Sequence, residues 1–127
     1  MKKKIRELKN WDNKTWLSSS TYINSFNSFL LKKKKLNKNS RILDIGCGRG
    51  KIFGAISRKI KLLNKPIGID LVAHKDVDKS IDFRNEDVFK FFKTNQIKFD
   101  LIMIKQTLHF FNKDKRSKLI KVCKNNL

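Results

Sequence analysis

Three glycines alternate through Gly46-Cys47-Gly48-Arg49-Gly50, directly behind the apolar run Ile42-Leu43-Asp44-Ile45. Glycine allows positive φ and lets a ligand lie against bare backbone. An ordinary strand-to-helix turn needs one glycine, so three in alternation point to a ligand loop. The spacing G-x-G-x-G sorts the nucleotides. Lys51 stands where the dinucleotide fingerprint G-x-G-x-x-G would place its third glycine. The phosphate loop G-x-x-x-x-G-K-[ST] fits no better, because Ile52 stands where its hydroxyl would be. Asp44, two residues before Gly46, sets a carboxylate beside the loop. That is awkward for a pyrophosphate and suits a ligand carrying an ammonium and a sulfonium.

Other reactive side chains are few. Cys47 and Cys123 make neither a disulfide framework nor a metal-ligand spacing, which fits a reducing cytoplasm. Cys47 reads as a small packing residue rather than a nucleophile. His109, between Leu108 and Phe110, reads equally as a general base or a structural residue. His74 reads as a surface residue. Phe89, Phe91 and Phe92 read as core rather than as a substrate platform.

The elements that must position these residues follow from periodicity. Tyr22, Phe26 and Phe29/Leu30 recur at helical spacing, which predicts a helix over 21–35 with one buried aromatic stripe and an N-cap from Ser18-Ser19-Ser20. Its Lys-rich end suits the negative pole of the helix dipole. Trp11 and Trp16 lie upstream in a segment without a clear pattern, and Asn37 to Ser40 reads as a turn and a boundary. Strands are expected at 41–45, 66–71, 81–84 and 99–104. Helices are expected at 51–63, with Ile52, Phe53, Ile56, Ile60 and Leu63 inward, and at 88–93 and 113–124. This alternation implies parallel strands joined by right-handed crossovers, in a sheet covered on both faces. In such a sheet, ligands dock at the carboxyl ends of the strands, where the glycines stand.

Composition adds bounds. The 127 residues suffice for one modest domain, and 39% hydrophobic content allows a core. The 31 Lys and Arg against 11 Asp and Glu leave a net charge of +20. Such a charge invites weak, non-specific nucleic-acid binding. Lys, Asn, Ile and Phe also share AT-rich codons, so base composition alone is a competing source of the excess. No apolar run approaches the ~18 residues of a membrane span. The basic residues at the start are not followed by the apolar stretch of a secretory signal.

The segment Ile42 to Gly50, "ILDIGCGRG", resembles the first motif of the class I S-adenosylmethionine-dependent methyltransferases. The resemblance continues in order over residues 40–111. It implies that Asp70, at the end of "GIDL", holds the ribose hydroxyls of S-adenosyl-L-methionine, with Leu71 beside it. A carboxylate that accepts from two adjacent hydroxyls is the chemistry needed there. It implies that Asp87 accepts from the adenine amine while the Val88 amide donates to the ring. The cofactor site so implied comprises Asp44, Gly46, Cys47, Gly48, Gly50, Asp70, Leu71, Asp87, Val88 and Lys105, with no metal. No catalytic residue is assigned beyond the candidate His109. Asp44, Asp70 and Asp87 could each instead cap a loop or a helix.

The implied fold is α/β: a Rossmann-like doubly wound parallel sheet, partial, with about four strands in the order 3-2-1-4. An N-terminal helical lid segment is expected over 1–38, and the cofactor-binding half of the domain over 39–127. The family's sheet has seven strands, so the chain is expected to be truncated after the fourth, with self-association through the open edge. The implied function is methyl transfer to an acceptor, expected to be a small molecule. The loop "KQTLHFF" lacks the Pro-Pro-Tyr or Pro-Cys stretches of the family's nucleic-acid base enzymes. An inactive cofactor-binding fragment and an RNA methyltransferase or RNA-binding protein are the alternatives.

Overall fold

In the computed structural model, the described residues are 20–104 and 107–127. The expected 18–19 cap, Trp11, Trp16 and Lys105 lie outside them. The elements run α1 (Ser20–Lys33), β1 (Ile42–Ile45), α2 (Lys51–Ile60), β2 (Ile67–Asp70), β3 (Asp82–Asn85), α3 (Val88–Thr94), β4 (Leu101–Ile104), a single 3₁₀ turn (Leu108–Phe110) and α4 (Lys113–Asn125).

The four strands form one parallel sheet in the order β3-β2-β1-β4. β1 is central and its four residues are all buried. Successive side chains of a strand point to opposite faces. Leu43 and Ile45 accordingly join Ile67 and Ile69 against Val88, Phe91, Phe99, Leu119 and Cys123, on the face covered by α3 and α4. Ile42 joins Ile52, Phe53 and Ile56 of α2 with Ile23 and Leu30 of α1 on the other. Helices thus cover both faces. No helix among the described residues is long and apolar enough to cross a membrane.

The helix ends are set locally. Asp87 caps α3, its Oδ1 accepting from the amides of Phe89 and Lys90 at 2.9 and 3.1 Å. Asn112 caps α4 by accepting from the Lys115 amide. α2 stops earlier than its apolar spacing predicts: Lys61 turns left-handed at φ 56° and its N–H closes on the Ser57 carbonyl. Leu63 then falls outside the helix and is 69% exposed. The expected aromatic stripe of α1 is also displaced. Ile23, Asn27 and Leu30 face inward, Tyr22 and Phe26 are half-buried, and Phe29 is 58% exposed. The polar Asn27 at the centre of the true inner face disguises the stripe, because it breaks the apolar period at i+4.

Residues 71–80 cross back over the start of α2. The Asp78 amide donates to the Arg49 carbonyl, and the Asp78 carboxylate takes Arg58 Nη1 at 2.8 and 3.0 Å and the Ser80 amide at 2.8 Å. An added Cβ at Gly54 would overlap this carboxylate, so α2 carries glycine where the loop crosses it. Burial pushes the Asp78 carboxyl up. The Arg58 guanidinium and the Ser80 amide outweigh burial and hold it below the ordinary carboxylate value.

Candidate functional site

Gly46, Gly48 and Gly50 have φ of 73°, 57° and 70°, all in the left-handed region that side chains disfavour. The loop is stitched to β2: the amides of Gly46 and Cys47 both donate to the Ile69 carbonyl, at 2.8 and 3.1 Å. Gly50 is the N-cap of α2 and has no side chain to satisfy the first helical amides. An added Cβ at Gly46 would strike the Thr107 hydroxyl, and one at Gly50 would strike Ile81. The glycines therefore serve backbone conformation and close approach together. Cys47 turns inward, with Sγ packed against Gly68 of β2, and is buried. It is a packing residue in the loop.

The acids converge because the strands are parallel. Asp44 lies in β1, 3% exposed, on the sheet face shared with Ile42. Asp70 ends β2. Its Oδ2 accepts from the Gly48 amide at 2.8 Å and its Oδ1 from the Val72 amide at 2.9 Å. No helix follows Asp70, so its capping serves the glycine loop and the turn after β2. Asn85, the last residue of β3, donates from Nδ2 to the Asp70 carbonyl at 2.9 Å. Asp87 follows at the same end of the sheet, exposed, with Val88 buried behind it. Leu71 is 49% exposed beside Asp70. The residues from β1, β2 and β3 thus share one end. A separate cleft of about 500 Å³ opens at the amino end of the strands, lined by Arg41, Lys65, Asp82 and Ile97, and includes none of them.

His109 is exposed in the 3₁₀ turn, its ring centroid 4.0 Å from that of Phe110. His74 reverses its expectation as a surface residue. Its side chain is 3% exposed and its Nε2 lies 3.8 Å from Asp70 Oδ2. His74 carries no periodic signal because it sits in the irregular connection between β2 and β3. Only its position four residues after Asp70 could have drawn notice. Thr107, packed on Gly46, was equally unmarked.

A model of the family described as "Methyltransferase domain" matches residues 42–127. The chain belongs to this family. The matched residues begin at β1, so they contain the glycine loop together with Asp44, Asp70 and Asp87. Among solved structures, the domain is similar to magnesium protoporphyrin IX methyltransferase (ChlM) from Synechocystis PCC 6803, solved with bound SAM. The identity is 14%, over 87% of this chain and 55% of that one, at a TM-score of 0.60. It is also similar to the plantazolicin methyltransferase BpumL, solved with a triazolic desmethylPZN analog and SAH. That identity is 23%, over 99% of this chain and 48% of that one, at a TM-score of 0.65. At these identities the likeness is one of fold. The chain spans about half the length of these two structures. No curated protein sequence matched it.

Proposed function

We propose that the chain is the cofactor-binding portion of an S-adenosylmethionine-dependent methyltransferase whose acceptor is a small molecule. The observation that carries this is the left-handed glycine loop at the carboxyl end of β1, its Gly48 amide bonded to the Asp70 carboxylate at the end of the adjacent parallel strand and Asp44 two residues before it in the chain. The residues fit the cofactor: a bare loop for close approach, and acids rather than cations beside it. The cofactor supplies a methyl group activated on a sulfonium sulfur.

The chain's own residues do the rest. Gly46, Gly48 and Gly50 keep the loop free of side chains that would bar the ligand. Asp44 favours the positive charge of the amino-acid end. Asp70 has one amide on each oxygen, and each oxygen accepts two hydrogen bonds, so both retain capacity for the ribose diol. Asp87 spends Oδ1 on the cap, which leaves Oδ2 to accept from the adenine amine, and Val88 and Leu71 are the residues assigned to border the base. Lys105, the residue after Ile104 in the chain, completes the set. His109, exposed in the 3₁₀ turn, is the candidate general base. On this reading the chain divides as its sequence suggests, a lid segment over 1–38 and the cofactor-binding unit over 39–127, of which the structure describes 20–104 and 107–127. Methyl transfer asks chiefly for alignment and exclusion of water. The protein is cytoplasmic, and its basic surface gives weak nucleic-acid association.

A thermal-shift series tests the cofactor assignment. A ligand that binds only the folded state raises stability by about 2.7 kcal/mol at 100 times its Kd. S-adenosylhomocysteine should raise the melting temperature in a saturable way. A flat response would remove the assignment.

A further inference from the structure

His74, whose imidazole is hidden while its backbone is not, has no part in the roles set out above. Its side chain is as hidden as a core residue, 3% exposed, although it lies in the connection between β2 and β3. Its Nε2 faces the same Asp70 oxygen, Oδ2, that accepts from the Gly48 amide. The Val72 amide holds the other oxygen. The carboxylate is thus bounded on three sides: the glycine loop, the turn that follows it, and the imidazole. The loop that carries His74 is itself anchored, through the Asp78 amide on the Arg49 carbonyl and the Arg58–Asp78 pair. A carboxylate fixed in this way offers its remaining lone pairs in one direction only.

We propose that His74 is a positioning residue for ribose recognition: it orients Asp70 so that the site selects adenosyl ligands with an intact vicinal diol. The inference rests on the cofactor reading above and extends it from which group is bound to what enforces its sugar specificity. An imidazole nitrogen near Oδ2 limits rotation of the carboxylate and keeps water off it. Dry, preorganised acceptors discriminate strongly against a ligand that lacks the matching hydroxyl, because the acceptor is then left unpaired.

The test separates the nitrogen from the bulk of the ring. His74→Leu keeps much of the packing and removes the nitrogen; His74→Gln restores a polar nitrogen at similar reach. Each variant of the full chain is titrated calorimetrically with S-adenosylhomocysteine and with its 2′-deoxy analogue. His74→Leu should weaken S-adenosylhomocysteine by about tenfold, the scale of one lost hydrogen bond, and change the deoxy analogue by less than about twofold. His74→Gln should recover most of the preference. Equal weakening of both ligands, or no weakening in His74→Leu, would show that the ring only packs and would overturn the proposal. Should the leucine variant not fold, His74→Met is read by the same criterion. Failure of the wild-type chain to bind S-adenosylhomocysteine would instead overturn the cofactor assignment, and this inference with it.

Discussion

Asp70 and Asp44 are both carboxylates beside the glycine loop, yet their surroundings give them different work. Asp70 sits at the strand end, bonded to the Gly48 and Val72 amides. Asp44 lies inside β1 and is almost fully buried. Asp70→Ala should therefore leave two ribose hydroxyls without their acceptor, costing roughly 1–3 kcal/mol of binding. Asp44→Asn should cost less, since it keeps the side chain's shape and part of Asp44's effect runs through loop geometry. Calorimetry on both variants checks the order; wild-type affinity in Asp70→Ala would take Asp70 out of the site. At this scale the sequence was most informative where chemistry is local in the chain. The alternating glycines announce their left-handed backbone because few other residues adopt it. Asp87 as a cap follows from its position one residue ahead of a helix. His74 was illegible, because its burial depends on a turn folding back onto the start of α2, and no local pattern encodes that.

At the scale of elements, the connection from β2 to β3 is held by Asp78. Its carboxyl is held below the ordinary value in the folded chain, so the charged form favours folding. That stabilisation is present above the unfolded-state value of about 3.9 and is lost as pH falls through the lower folded value. Asp78→Asn should destabilise the chain by about 1–3 kcal/mol at neutral pH, the range for a buried charged hydrogen-bond partner. The gap to wild type should narrow below about pH 4, as the wild-type carboxyl protonates. Urea denaturation at several pH values measures this; a pH-independent gap would assign Asp78 a purely packing role. Strand and helix order were legible from the alternation of apolar runs with helical periods, and the four-stranded order matches the expected one. Element ends were not. The left-handed stop at Lys61 carries no glycine to mark it, and it removes Leu63 from the helix. The inner face of α1 was legible only in part: Leu30 is buried and Tyr22 and Phe26 pack at the margin of the core, but packing against α2 takes the polar Asn27 inward and leaves the apolar Phe29 exposed.

At the scale of the molecule, β4 is an edge of the sheet among the described residues, and all four of its residues are only half-buried. Unpaired strand edges with apolar side chains favour association with another strand. Leu101, Ile102, Met103 and Ile104 should therefore promote self-association, seen as concentration-dependent mass by size-exclusion chromatography with light scattering. Ile102→Lys should shift the equilibrium toward monomer, and a monodisperse wild-type monomer at all concentrations would refute this. The net charge of +20 acts over the same scale. Gel shifts with RNA and DNA should show binding that fades steeply with salt and ignores sequence. Binding that persists at high salt and prefers one sequence would move the acceptor from a small molecule to a nucleic acid. The central claim concerns which ligand the glycine loop takes, and titration calorimetry of the chain with S-adenosylhomocysteine and, separately, with NAD addresses it most directly. The loop's G-x-G-x-G spacing and its flanking acids predict saturable binding of S-adenosylhomocysteine and none of NAD. Tight NAD binding with no response to S-adenosylhomocysteine would contradict it.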